Sequence, residues 1–477
     1  MTKFLLPLVC FFCSNLAFGQ ESSLVKVKVF QQHVDERSPW SQQAIKESGY
    51  VGVVLDKDRI LISAQAIVAS RYIEVESLHS SIAIPAKVDR VDYNAQLAIL
   101  RLESSLRKSK PIKMGKDLKI NANISILSLK EKRVVPIRAR FRELKIRTSI
   151  TANYNLPHYT FEIKRKGVGW SEPVMNGESL AGLATRKEKN QIFAIPVSVI
   201  RRFLDGEGRD SSFGRLGFSY SPLQSQLLRR DLGLESVDRG VWVNKVSSSS
   251  PVASILRPGD VLLAVGAYEI QSDGLTKHHL WGTIPLSGIV YTFPVGKPAK
   301  LKFLRDGKIY EKSLEMIPHN SEEDFVPFYS SSRRPFTIYS GLVLIELSRN
   351  YLQSWGEAWL RRSPIALLKR FIYDNSVVKE KDERVLVLAK VLPDKINKGY
   401  EGMKNAEIYT LNGVAVRNLD HALTLLRKPL KKNSKSFTRM TLGPLPGEII
   451  LDHSGFADAN KRVAKLYSIS EKFLWKN

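Results

Sequence analysis

The chain has 477 residues, enough for roughly two to four domains that each bury a core. Its 43% hydrophobic and 25% charged residues exclude wholesale disorder. A formal charge of +26 at pH 7 favours anionic partners, whether membrane surface, acidic polymer or nucleic acid, without choosing among them.

The first stretch reads as a leader. Lys3 is a short positive region, Phe4 to Cys13 is an apolar run, and Ala17-Phe18-Gly19 places small residues where a signal peptidase reads. Residues 1–19 are therefore expected to be a signal peptide, and the protein to be exported, periplasmic or secreted. The run is too short for a stable membrane anchor, and no later segment approaches about 18 uninterrupted apolar residues. The only cysteines, Cys10 and Cys13, fall inside the leader. The processed chain then offers no disulfide, thiolate nucleophile or thiolate metal ligand.

From residue 20 to 205 the pattern is short apolar runs rich in Val and Ile between turn residues, which predicts many short strands. Leu24–Phe30, Tyr72–Glu76, Ile82–Val88, Ile124–Leu127, Val134–Phe141 and Tyr159–Ile163 are among them, and Val197–Leu204 reads as a helix. Gly49-Tyr50-Val51-Gly52-Val53-Val54, the run Ile60-Leu61-Ile62-Ser63-Ala64-Gln65-Ala66-Ile67-Val68 and Asp92-Tyr93-Asn94-Ala95-Gln96-Leu97-Ala98-Ile99-Leu100 form its most organised part. This framework resembles the first half of a trypsin-type serine protease of the HtrA/Deg (protease Do-like) family. In that family the second segment carries the catalytic His and the third the catalytic Asp.

Here Ala66 stands in the His position and Gln96 in the Asp position. The family's nucleophile loop, G-N-S-G-G-P, resembles Gly167-Val168-Gly169-Trp170-Ser171-Glu172-Pro173, and Phe193-Ala194-Ile195-Pro196 beyond it is intact. With Pro173 as anchor, Trp170 takes the nucleophile position; a one-residue deletion would give it to Ser171. Either way no base is in place. A serine hydroxyl attacks only when an imidazole takes its proton and a carboxylate orients that imidazole. Loss of such a unit costs on the order of 10⁴ to 10⁶ in turnover. His79 and His158 read as surface or turn histidines. His278 and His279 are adjacent and, on a strand, point to opposite faces, so a zinc site is not expected.

A polar glycine-bearing linker, Gly206 to Ser212, ends this domain. Gly214-Arg215-Leu216-Gly217-Phe218, then Gly240-Val241-Trp242-Val243, Ser250-Pro251-Val252-Ala253 and Leu256-Arg257-Pro258-Gly259-Asp260-Val261-Leu262-Leu263 resemble a PDZ domain over 213–318. The resemblance implies that Leu216, Gly217 and Phe218 form the loop whose N–H groups hold a peptide's C-terminal carboxylate while the peptide adds as a strand. Use of this fold for domain packing alone is the other reading. Leu301 to Leu314 predicts a hairpin around Arg305-Asp306-Gly307-Lys308. After the polar stretch Ser321–Arg334, Tyr339-Ser340-Gly341-Leu342 and Ile408-Tyr409-Thr410-Leu411-Asn412-Gly413 resemble a more divergent second PDZ over 335–450, with the basic helix-like insertion Pro364–Tyr373. Arg427, Lys428, Lys431, Lys432, Lys435 and Arg439 form a basic cluster without the interleaved aromatics that stack bases. A helical tail is expected over 451–477.

The fold expected is mainly β: a trypsin-like double β-barrel followed by two PDZ-type α+β domains. The function expected is that of a pseudoprotease binding C-termini or unfolded segments of proteins, in envelope quality control or as an adaptor. An active serine endopeptidase built on Ser171 and a binder of anionic surfaces are the alternatives. No cofactor, metal or specific nucleic acid is implied, and the resemblance implies a homo-oligomer, a trimer in many relatives.

Overall fold

The structure is a computed structural model that describes residues 21–163, 169–206, 211–234, 238–248, 250–330, 334–375, 382–443 and 447–475. The expected leader with both cysteines, Gly167-Val168 and most of the 206–212 linker lie outside them.

The first barrel is closed by six strands: β1 Leu24–Gln31, β2 Lys46–Val54, β3 Arg59–Ser63, β4 Ser70–Ser77, β5 Ala83–Asp92 and β6 Leu97–Leu102, in the order β1-β2-β3-β6-β5-β4. Strand β1 shows how sequence sets the wall. Val25, Val27 and Val29 are buried, while Lys26 and Lys28 between them face outward, the period of two that a strand imposes. Gly52 of β2 lies where a Cβ would come within 2.6 Å of Ile60 and 2.8 Å of Val25 and Val27. The interior there has room for no side chain. The apolar run from Ile60 to Val68 is not one strand: after Ser63 the chain turns into a short helix, α1 Ala64–Ile67.

The second sheet has seven strands: β7 Asn123–Lys130, β8 Arg133–Arg140, β9 Glu143–Thr148, β10 Asn155–Glu162, β11 Pro173–Asn176, β12 Ser179–Glu188 and β13 Gln191–Pro196, ordered β8-β7-β11-β12-β13-β10-β9. Helix α2, Val197–Asp205, buries Val197, Val199, Ile200 and Phe203.

The third body carries β14 Phe218–Pro222, α3 Gln226–Asp231, β15 Val241–Val246, β16 Val261–Val265, β17 Tyr268–Glu269, the hairpin β18 Leu275–His278 with β19 Gly282–Pro285, and the hairpin β20 Pro298–Arg305 with β21 Lys308–Glu315. Its Gly-Asp motif has a structural task. Asp260 is buried, receives Arg305 through Nε at 2.7 Å and Nη2 at 2.6 Å, and caps the Arg257 N–H at 2.7 Å. The charge is thus paired where water is excluded. This body is joined to the second barrel by a shared apolar core. Trp281 meets Tyr159 of β10 with ring centroids 6.4 Å apart, and Gly288 packs directly under Ile146 of β9. His278 and His279 do not point apart as read from sequence. The strand ends at His278, the next residue turns, and the two rings stack at 4.5 Å, with His278 also stacked on Trp281 at 4.3 Å.

The last body contains β22 Phe336–Tyr339, β23 Leu342–Glu346, α4 Arg349–Gln353, α5 Trp359–Arg362, α6 Ile365–Lys369 running into a π-turn at Arg370–Asp374, β24 Leu386–Val391, β25 Lys404–Leu411, β26 Val414–Ala415, α7 Leu419–Leu426, β27 Leu430–Lys432, β28 Lys435–Gly443, β29 Gly447–Asp452 and α8 Phe456–Leu466. Its sheet runs β22-β23-β24-β25-β28-β27. The four bodies meet at a buried polar junction, which the first barrel joins through Asn94, donating to the His319 carbonyl at 2.7 Å. Asp324 accepts from Arg215 and, at 3.1 Å, from Asn153; His319 lies 3.6 Å away. Arg349 of α4 donates to the Ser149 and Ala152 carbonyls of the β9–β10 loop, each at 2.8 Å.

Candidate functional site

The segment after β3 and the turn before β6, which hold the two positions that the sequence resemblance gave to a catalytic base and its orienting acid, meet in the structure. Ala66 is fully buried on α1 and supplies a methyl group to the barrel interior. Gln96 occupies a left-handed backbone position, φ +60°, and is buried. Its carbonyl accepts from the Ala64 N–H at 2.8 Å, fixing the turn against α1. Its side-chain amide reaches His158 of β10, with Nε2 to Nε2 2.8 Å, and its Oε1 faces the Ile150 N–H at 3.4 Å.

His158 is therefore not the surface or turn histidine expected from sequence. It lies inside strand β10, 2% exposed. Its Nδ1 is 3.0 Å from the Leu156 carbonyl, which can only accept. The proton thus sits on Nδ1, and Nε2 accepts from the Gln96 amide. Burial lowers its pKa to about 4, so the ring is neutral at pH 7 with both nitrogens engaged. His79, by contrast, is exposed in the turn after β4.

The loop before β11 has been rebuilt around a carboxylate. Glu172 is buried and its Oε2 accepts from three successive N–H groups, Gly169 at 2.7 Å, Trp170 at 2.8 Å and Ser171 at 3.3 Å. Successive N–H groups of this kind make an anion-binding nest; aimed at a developing oxyanion, such donors stabilise acyl-transfer transition states. Here the nest holds the chain's own carboxylate. Trp170 projects outward at 41% exposure. Ser171 is buried, and its Oγ accepts from the Ser63 N–H at 3.1 Å, at the end of β3. Among the described residues no imidazole or carboxylate is hydrogen-bonded to that hydroxyl. The structure thus brings Ser171 to the segment that carries Ala66, and joins Gln96 to His158, as two separate pairs.

A groove of about 760 Å³ runs past this loop, lined by Lys26, Lys46, Lys132, Tyr50, Trp170 and Glu172 among others. It carries three lysines.

The second site lies at the entry to β14. Gly217 has φ +74°, and a Cβ there would stand 2.4 Å from that of Ser250. Only glycine allows this approach. Its carbonyl accepts from the Ser247 N–H at 2.9 Å. Leu216 is buried, and Phe218 opens β14, an end strand of its sheet, paired with β15. The Leu216 and Gly217 N–H groups have no hydrogen-bond partner among the described residues. Unpaired donors beside an open strand edge are what an incoming carboxylate and strand require. The similar loop of the last body is spent internally. There the Ser340 N–H donates to Asn460 of α8 at 2.8 Å, and the Ser340 carbonyl accepts from Asn397 at 2.8 Å. Sequence gave no sign of Asn460 in this role, because the tail meets the loop only after folding.

Comparison with known proteins agrees with this architecture. Residues 326–473 match a family model described as PDZ domain. Among curated relatives in Arabidopsis thaliana described as mitochondrial Do-like proteases, Do-like 3 is 26% identical over 429 residues, 85% of this chain and 72% of its own. Do-like 4 is 23% identical over 419 residues, covering 85% and 76%. A solved structure described as an HtrA-type protease AlgW variant with a decapeptide superposes with a TM-score of 0.50 at 17% identity, covering 64% of this chain and 96% of that one.

Proposed function

We propose, from the premise that the chain belongs to the HtrA/Deg family of Do-like proteases, with trypsin-like and PDZ domains, that it holds polypeptides without cleaving them. One observation carries the reading: the N–H nest that would stabilise an oxyanion is filled by Glu172, beside a Ser171 whose hydroxyl has no imidazole or carboxylate hydrogen-bonded to it among the described residues. Without base or open nest, both the attack and the intermediate lose their support.

Binding falls to the body built on β14. The Leu216 and Gly217 N–H groups, without a partner among the described residues, suit a C-terminal carboxylate, and the neighbouring strand edge suits the residues before it. The structural neighbour was solved with a decapeptide. The leader pattern Lys3, Phe4–Cys13 and Ala17-Phe18-Gly19 supports an exported protein, acting in envelope protein quality control or as an adaptor.

Two measurements test this together. The full chain and its Ser171→Ala variant are incubated with casein, and fluorescent peptides with free or amidated C-termini are titrated into the full chain. No cleavage by either protein and preference for the free carboxylate are expected. Cleavage by the wild type that disappears in Ser171→Ala overturns the reading in favour of a serine endopeptidase. Equal affinity for free and amidated peptides removes the carboxylate loop from the account.

A further inference from the structure

The insertion between β23 and β24 exposes apolar side chains that neither site uses. Helix α6 and its π-turn bury one face, with Leu367 and Leu368 buried and Phe371 packed against Trp359 at 5.5 Å. The opposite face carries Ile365 at 84% exposure, Lys369, Ile372 at 51% and Tyr373 at 67%. Ile365 and Lys369 lie one α-helical turn apart, and the π-turn adds the exposed Ile372 and Tyr373 beyond them. Leu360 of α5, 54% exposed, and the exposed Arg361 and Arg362 lie on the adjoining turn. Large apolar side chains gathered in one exposed segment mark an interaction surface.

The charges say what kind. Arg361, Arg362 and Lys369 have no ion-pair partner among the described residues. Arg370 is committed elsewhere, to Glu407 at 2.9 Å and to Asp374 at 3.0 Å, which also neutralises the acid nearest Tyr373. Between β23 and β24 the sequence also carries the acids Glu357, Glu380, Asp382 and Glu383, but Lys and Arg outnumber acids there by eight to five. Lys369 sits inside the apolar stripe rather than on its rim. Against an apolar protein surface that placement would bury an unpaired cation, which costs heavily. Against a bilayer it costs little, because the long side chain reaches the headgroups while Ile and Tyr enter the interface. A second copy of this chain would bring the same cations together, on a molecule already at +26.

We infer that this insertion is a docking surface for an anionic lipid bilayer. Ile365, Ile372, Tyr373 and Leu360 enter the interfacial layer, and Arg361, Arg362 and Lys369 contact acidic headgroups. The inference stands apart from peptide binding and proteolytic silence, because none of these residues belongs to either site.

The test is sedimentation of the full chain with vesicles of phosphatidylcholine alone or of phosphatidylcholine and phosphatidylglycerol in equal parts. Each cation near an anionic surface favours binding about fivefold, so the anionic vesicles should bind roughly 10²-fold more tightly. Ile365→Ser with Ile372→Ser should weaken that binding about tenfold or more, and Lys431→Glu with Lys432→Glu, in the exposed β27–β28 hairpin, should leave most of it. All four positions are solvent-exposed, and unchanged melting confirms that the variants fold. Absence of binding to both vesicles overturns the inference. So does binding that survives the isoleucine pair or vanishes in the hairpin pair. Concentration-dependent self-association that the isoleucine pair abolishes, without vesicle binding, would overturn it too and assign the surface to a second copy.

Discussion

Replacing His158 by glutamine tests the account of the site most directly. In the folded chain this imidazole is buried between the Gln96 amide and the Leu156 carbonyl, and its pKa is about 4 rather than 6.5. Below pH 6.5 the unfolded chain takes up a proton that the folded chain refuses. Stability contributed by the neutral ring is therefore complete above 6.5 and is lost as pH falls towards 4. At about pH 5 the loss is roughly one and a half pH steps at about 1.4 kcal/mol each, or about 2 kcal/mol. A glutamine amide can still accept from Gln96 and donate to Leu156, but does not titrate. The assay is the urea midpoint of wild type and His158→Gln, followed by far-ultraviolet circular dichroism at about pH 7 and about pH 5. Wild type should lose about 2 kcal/mol more than the variant on acidification. His278 and His319, both lowered by burial, and Asp324, raised to about 6 by burial and so changing with the opposite sign, titrate in both proteins and cancel in the difference. Equal acid sensitivity in the two proteins would refute the buried, neutral assignment.

Other consequences follow from the same contacts. Glu172→Ala strips three N–H groups of their acceptor and should cost about 1–3 kcal/mol, read as a lower melting temperature that added phosphate partly restores. Gly217→Ala forces a side chain into a left-handed position against Ser250, so it should lower peptide affinity at least tenfold and cost about 1–3 kcal/mol; fluorescence titration and melting report the two separately. Gly52→Ala overpacks the first barrel against Ile60 and should cost about 1–3 kcal/mol in denaturant midpoint. Arg349→Met removes the donor that holds the Ser149 and Ala152 carbonyls, and limited proteolysis should then cut the β9–β10 loop faster than in wild type.

Much of this protein was legible as sequence. The alternation of Val25, Val27 and Val29 with lysines announces a barrel wall, because a strand's side chains must alternate. Gly259-Asp260 announces the third body, and the absence of a histidine at position 66 and an acid at position 96 is plain in the letters. The last body, looser by eye than the third, is the one the PDZ family model matches, and its helix α8 seals its own loop. Tertiary structure alone decided the rest. Gln96 and His158 are 62 residues apart and meet through barrel packing, so no local pattern marks His158 as buried. Glu172 reads as a lost glycine until the loop's three N–H groups are seen to converge on its carboxylate. The exposed side of α6 has the same hydrophobic letters as a core helix, and only the packing of Leu367 and Leu368 shows which face remains outside. Composition and periodicity fix which residues prefer burial and which elements form; chain closure and register fix which of them meet, and the chemistry of a site depends on the meeting.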